Sequence, residues 1–398
     1  DLHLLSRRQR QMCIRDRNTS MAINKQGEIY IWGYEYSKTP EKLNFYSKAV
    51  DIHGKLILAE DGSVWNISGN TPSRIAELKN IVEIASGDSY YSALDTKGQV
   101  WVWGYNGYGQ LSQGNTNNIN EPTTVKIEKP KTDPDEETQY ETLQDIVEIK
   151  AGNQNLEMIT NTGEIYVSGY NGNGQLGIGN TERKIKPTKT NIYDSKDTTQ
   201  TEYAIDVAAG AYHTLVLKSD GTVWTTGYNG YGQLGTGTTQ SETEFKQVTG
   251  IPEKVIAITA NVHTSYALTE SGKVYGWGYN YYGQLGINNN ADQTTPVKMQ
   301  KVSNIIQISA GDSYITMLDA NGSVWNVGYN GNGQFGVNNY TTYYLPQQMK
   351  TEDGSGILQN IKKVSAGATH TIVLSDDGTA YALSLIHISE PTRRVVIS

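Results

Sequence analysis

Gly230-Tyr231-Gly232-Gln233-Leu234-Gly235 spells G-x-G-x-x-G, the spacing that lets a backbone close on a pyrophosphate at a helix N-terminus. A dinucleotide-binding unit carries that motif once, opens a helix with it and places an acidic residue about 20 positions on. Here the motif sits in "GYNGYGQLG" (227–235), and variants recur at 104–111 (followed by Ser112), 169–177, 278–286 and 328–336. Tyr281 replaces the first glycine in one copy and the unit persists. The stretches that follow are rich in Thr, Asn and Gly, so a phosphate cradle does not account for the loop and no cofactor is expected. A turn does account for it. Asn106, Asn171, Asn229, Asn280 and Asn330 are expected to cap through their side-chain carbonyls, and the glycines tolerate positive φ. Gln110, Gln175, Gln233, Gln284 and Gln334 are expected to fasten backbone groups.

Other chemistry finds little support. His213 and His370 share one position, eight residues before a turn glycine, but Tyr90, Asn155, Thr264 and Tyr314 fill that position elsewhere. Ligands dispersed in this way do not converge on a metal, and no Ser/His/Asp set has a distinctive local sequence. Neither a catalytic nor a metal site is expected, and the chain is read as non-enzymatic.

Tyrosine remains. Tyr105, Tyr170, Tyr228, Tyr279 and Tyr329 each follow a strand-ending glycine, and Tyr108, Tyr231, Tyr281 and Tyr282 lie in the same loops. Repeats put equivalent loops on one face, so these rings are candidates for an aromatic interaction belt. The competing reading packs them between neighbouring units as fold residues, more so for the first tyrosine of each loop than for the second.

The elements that position these loops are themselves repeated. Units such as "IDVAAGAYHTLVLKSDGTVWTTG" (205–227) and "IIQISAGDSYITMLDANGSVWNVG" (305–328) each join two apolar runs through a glycine turn. Gly27, Gly62, Gly98, Gly163, Gly221, Gly272, Gly322 and Gly378 occupy that turn, where positive φ suits a tight hairpin. Strands apolar on both faces, such as Leu215-Val216-Leu217, imply stacked sheets. Successive turn glycines are 35, 36, 65, 58, 51, 50 and 56 residues apart, room for about four short strands, as in a propeller blade.

The pattern "AAGxxHTxxLxxDGxVWxxGxNxxGQLG" of Ala208–Gly235 resembles the repeat of the regulator-of-chromosome-condensation propellers, and the likeness runs through 18–383. The resemblance implies an all-β toroid of seven blades, each a four-stranded antiparallel sheet, acting as an interaction platform. Eight hairpins leave one half-blade surplus on that count, with ring closure open. It further implies a protein partner, or guanine-nucleotide exchange on a small GTPase with the insertion at 121–144 as wedge. Carbohydrate or cell-wall binding on the tyrosines is the reading from another class.

The ends differ from the middle. Seven of nine arginines lie in residues 1–17 and 384–398, beside the single cysteine, Cys13. Both segments resemble sequencing-adaptor read-through in a metagenomic reading frame and are set aside as non-native tails around a single propeller at 18–383. That segment holds 26 basic and 38 acidic residues, a net charge of −12, which opposes nucleic-acid binding. No run is long enough to span a membrane. Usage rich in Lys, Asn, Ile and Tyr points to a low-GC bacterium, with an extracellular or cell-surface location and a monomeric propeller expected.

Overall fold

A computed structural model describes residues 19–383 and 395–397, except 25, 34–35, 37–39, 70, 130–136, 193–201 and 352. Its strands form eight blades, each sheet built from consecutive strands. Blade 1 contains Thr19–Ile23, Ile29–Gly33 and Glu41–Lys42, three strands among the described residues. Blades 2 to 8 are four-stranded, and their innermost strands are Ala49–His53, Ile81–Ser86, Ile146–Ala151, Ala204–Ala209, Val255–Ala260, Ile305–Ala310 and Ile361–Ala366. The outer strand of blade 8, Val395–Ile397, pairs with Ala380–Leu383; it lies in the segment set aside above, whereas residues 1–17 lie outside the described residues.

Eight blades correct the expected seven. The surplus hairpin is no half-blade, because it builds a sheet with a partner on each side. On one side Met21, Ile23, Ile29 and Ile31 pack with Ala49, Ile52 and Ile57 of blade 2. On the other, Ala22 and Trp32 pack with Ile372, Leu374, Ala380 and Ala382 of blade 8, which closes the ring. Each hairpin glycine thus marks one blade, and the insertions lengthen particular blades without adding any.

The turn glycines do more than permit the turn. Their φ values run from 74° to 94°, and the carbonyl of each of the first seven accepts the N–H that starts the next inner strand. The pairs are Ala49 to Gly27, Ile81 to Gly62, Ile146 to Gly98, Ala204 to Gly163, Val255 to Gly221, Ile305 to Gly272 and Ile361 to Gly322, at 2.8–3.4 Å. A Cβ on Gly272 would lie 2.7 Å from the Cα of Asn304, so only glycine allows this approach. Apolar clusters fill each boundary behind the latch, as where Leu215, Leu217 and Val223 of blade 5 meet Val255, Ile258 and Trp277 of blade 6.

All seven inner strands carry a β-bulge at their second residue. The bulged residue is Val50, Val82, Val147, Ile205, Ile256, Ile306 and, in blade 8, Lys362. Beyond the bulge these strands line a central channel of about 300 Å³. Lys150 reaches Glu148 (2.7 Å) and Asp206 (3.5 Å) in this lining.

Blade 4 buries an acid on its second strand, Asn155–Thr160. Glu157 occupies a position filled by Leu215 and Ile372 in other blades, accepts a hydrogen bond from the Asn155 amide and is buried. Burial raises its carboxyl pKa from 4.5 to about 8. In the fold it stays protonated up to about pH 8, whereas the unfolded chain releases that proton near 4.5, so its contribution to stability is full below 4.5 and falls as pH rises towards 8. Urea denaturation is expected to show wild-type stability declining between these values. Glu157→Gln should flatten that decline and be the more stable form at pH 8. Trp32→Ala empties a fully buried site at the ring seam and should cost about 3–5 kcal/mol in the same measurement.

Candidate functional site

Five loops on one face share one construction. In the loop of blade 5, Asn229 Oδ1 accepts from Leu234 N (2.9 Å), while its Nδ2 donates to the carbonyls of Thr238 (3.0 Å) and Gln240 (2.9 Å). Gln233 Oε1 accepts from Tyr231 N at 3.0 Å. Asn106, Asn171, Asn280 and Asn330 make the equivalent bonds to Leu111, Leu176, Leu285 and Phe335. Gln110, Gln175, Gln284 and Gln334 do so to Tyr108, Asn173, Tyr282 and Asn332. The N–H groups of Gly232 and Gly235 donate to Asn229 and Gly232 carbonyls. A phosphate cradle aims such N–H groups outward at its ligand; these point inward.

The three glycines of the motif have separate tasks. The second and third take positive φ, 80° at Gly232 and 68° at Gly235. A Cβ on Gly232 would meet the Thr294 Cα of blade 6 at 2.7 Å, and Gly237 N donates to Thr294 O at 2.8 Å, so this end of the boundary is also closed by backbone. The first glycine has another reason. Side chains at Gly107, Gly172, Gly230 or Gly331 would collide with the hydroxyl of Tyr105, Tyr170, Tyr228 or Tyr329, which folds over it. In blade 6 that glycine is Tyr281, which stacks on Tyr279 at 6.3 Å and 15° and stands 57% exposed.

The predicted tyrosines come together in two groups. At three blade boundaries the second tyrosine of one loop meets the first of the next: Tyr108 with Tyr170 (5.4 Å), Tyr231 with Tyr279 (5.0 Å) and Tyr282 with Tyr329 (5.1 Å). Where the second position is Asn173, the belt is interrupted. Tyr105, Tyr108 and Tyr170 form a short group on blades 3 and 4. Tyr228, Tyr231, Tyr279, Tyr281, Tyr282 and Tyr329 form a continuous arc over blades 5 to 7. Tyr105 is exposed and the remaining first-position rings are half-buried; Tyr108, Tyr231 and Tyr282 are half-buried too.

Two members of the arc were not assigned to it from the sequence, where His263 is read, one place before the column of His213 and His370, as a packing side chain. Tyr212, 41% exposed, and His263 both stand nine residues before a turn glycine, where Ser89, Gln154, Ser313 and Thr369 stand in other blades. Aligning that column would have revealed them. The imidazole of His263 lies among four tyrosines: Tyr231 (4.8 Å), Tyr212 and Tyr228 (5.9 Å each) and Tyr279 (6.4 Å). Gln233 Nε2 is 3.3 Å from its Nδ1, and burial lowers its pKa. For Tyr279, burial first and then Tyr282 and the Asp292 carboxylate raise the hydroxyl pKa.

The other candidates lie elsewhere. His213 is buried against Ser265 (2.9 Å), and burial lowers its pKa to about 3. His370 is also buried. No cluster of three or more His, Cys, Asp or Glu suited to a metal occurs among the described residues, and no helix there is long and apolar enough to cross a membrane. The 121–144 insertion completes the outer strand of blade 3 and then pairs Lys126–Glu128 with Tyr140–Thr142. Lys186 of blade 4 bridges Glu128 (2.5 Å) and Tyr140 (3.3 Å) and so ties this hairpin to the rim; residues 130–136 between its strands lie outside the described residues.

Eight latched antiparallel blades, five of which carry an Asn/Gln-fastened loop, define a repeat β-propeller with an aromatic face. The RCC1-like domain family model matches residues 6–300, and the regulator of chromosome condensation (RCC1) repeat model matches residues 321–374. The chain belongs to the RCC1-like propeller family. It is 30% identical over 246 residues to the ultraviolet-B receptor UVR8 of Arabidopsis thaliana, covering 61% of this chain and 52% of the receptor. It is 26% identical over 326 residues to the Xenopus laevis regulator of chromosome condensation, covering 76% and 71%. Prp20p of Saccharomyces cerevisiae shares the fold, with a TM-score of 0.63 at 19% identity over 95% of this chain and 87% of that one. The chain thus spans about half the length of the ultraviolet-B receptor it matches.

Gly232→Ala should destabilise the protein by about 2 kcal/mol, since it forces an alanine into the left-handed region against a neighbouring backbone. Gly230→Ala, which needs only the Tyr228 ring to move, should stay within about 1 kcal/mol. Urea midpoints of the two variants test the separate tasks of these glycines.

Proposed function

We propose that this propeller is a non-enzymatic protein-binding module whose docking face is the tyrosine arc over blades 5 to 7. The observation that carries the reading is the arc itself: ring touches ring across three blades, on loops whose backbone is already held by buried asparagine and glutamine. Tyrosine presents a large, stiff contact with a hydroxyl at its rim, and rigid support lowers the entropy lost on docking. The reading also accords with what is named for relatives, since yeast Prp20p is described with Gsp1p and histones and yeast RCC1 with Kap60. The two described strands of this hairpin, Lys126–Glu128 and Tyr140–Thr142, are tied to the rim by Lys186, an arrangement that does not favour the nucleotide-exchange alternative.

Panning a displayed peptide library on the folded protein is expected to enrich sequences that bind the arc. Their affinity should fall at least tenfold for Tyr281→Ala combined with Tyr282→Ala, while Ile306→Ala on a bulged inner strand leaves it unchanged. Binding that survives the tyrosine substitutions, or is lost only with Ile306→Ala, would overturn the assignment.

A further inference from the structure

We infer that the polypeptide recognised by the tyrosine arc is cationic, with Lys and Arg side chains lying over the ring faces and beside Asp292 and Asp312. The inference rests on the protein-binding reading above and supplies the chemistry of the partner.

Charge distribution is the first observation. The chain has 33 Lys and Arg, yet the loop segments of blades 5 to 7 that form this face (209–213, 227–242, 260–264, 278–293, 310–314 and 328–343) contain neither. Their charges are carboxylates. Asp292 is held in the loop by accepting Asn280 N at 2.8 Å, close enough to Tyr279 to raise its hydroxyl pKa. Asp312 is exposed and precedes Ser313, whose carbonyl accepts Tyr329 N at 3.0 Å. The arc is therefore bordered by negative charge without a Lys or Arg of its own to occupy the ring faces. A cation within about 6 Å of an aromatic centroid is attracted to the ring face, and neighbouring carboxylates add to that attraction.

Ring geometry is the second observation. Apart from the near-parallel pair Tyr279 and Tyr281 (15°), successive rings are tilted by 69° (Tyr231, Tyr279), 89° (Tyr281, Tyr282) and 62° (Tyr282, Tyr329). They offer several small, differently aimed faces, which suit the ends of long flexible side chains better than one sugar ring needing a flat shelf.

The test is fluorescence anisotropy with fluorescein-labelled homopeptides of arginine, lysine and glutamate and with a neutral Gly-Ser peptide, at low salt and at about 150 mM. The arginine and lysine peptides are expected to bind and the others not to. Affinity should drop at least tenfold for Tyr281→Ala with Tyr282→Ala, and again for Asp292→Asn with Asp312→Asn, a pair of changes that removes both charges yet keeps a side-chain acceptor for the Asn280 N–H. All variants should retain the wild-type melting temperature, and Tyr281→Phe should retain binding. Basic peptides that bind every variant alike, or none at all, overturn the inference. If panned peptides free of Lys and Arg still need Tyr281 and Tyr282, the charge inference fails and the protein-binding reading stands. If a glycan panel binds through those tyrosines while no peptide does, both fail.

Discussion

Seven of the blade boundaries in this propeller are joined by one backbone hydrogen bond, from the first N–H of an inner strand to the carbonyl of the preceding turn glycine. A repeat ring needs its boundaries alike, or small angular errors accumulate until the circle cannot close. Side-chain packing alone tolerates varied shapes, and the boundary clusters here do vary in composition. The latch is sequence-independent apart from its glycine, so it fixes the pitch between blades whatever the core contains. Ring size follows from how many such steps are taken, and the seam between Trp32 and blade 8 is filled by the same kind of apolar contact as the other boundaries.

A second backbone contact operates at the opposite end of four of these boundaries. Gly114, Gly179 and Gly237 donate to Ile185, Thr243 and Thr294 on the next outer strand, and Asn288 donates likewise to Tyr344. Fastening by Asn and Gln makes the loop a rigid tab that reaches over the neighbouring blade. The tyrosines ride on these tabs, which explains why rings from successive blades touch. The aromatic face is thus produced by the device that spaces the blades, and a ligand meeting it finds little backbone left to order.

Much of this was legible in the chain. Eight turn glycines, five Asn/Gln loops and the tyrosine columns are local patterns, and local patterns repeat visibly. The blade number was also present in the eight glycines, but the count implied by resemblance displaced it, because a beheaded hairpin looks incomplete until its neighbours are seen. The latches were hidden because each spans a gap of variable length, from 19 residues between Gly62 and Ile81 to 48 between Gly98 and Ile146. The bulges were hidden because an apolar pair such as Ile305-Ile306 at a strand start reads as an ordinary apolar run. Tyr212 and His263 were not placed in the arc because their column holds Ser, Gln and Thr elsewhere, and Glu157 escaped because its column mixes apolar residues with Ser92 and Thr316 and so carries no pattern that a single acid would break.

The first glycine of the loop motif differs from its two companions in a way that matters for how such rings diversify. Gly232 and Gly235 are bound to their φ values, whereas Gly230 merely leaves room for a tyrosine to lie down. At Tyr281 that room is taken and the surface gains an upright ring, while Asn280 and Gln284 hold their bonds unchanged. Each loop therefore separates a framework that cannot vary from one display position that can. A lineage of such propellers can rewrite the exposed face of its loops one codon per blade, with the blades themselves left undisturbed.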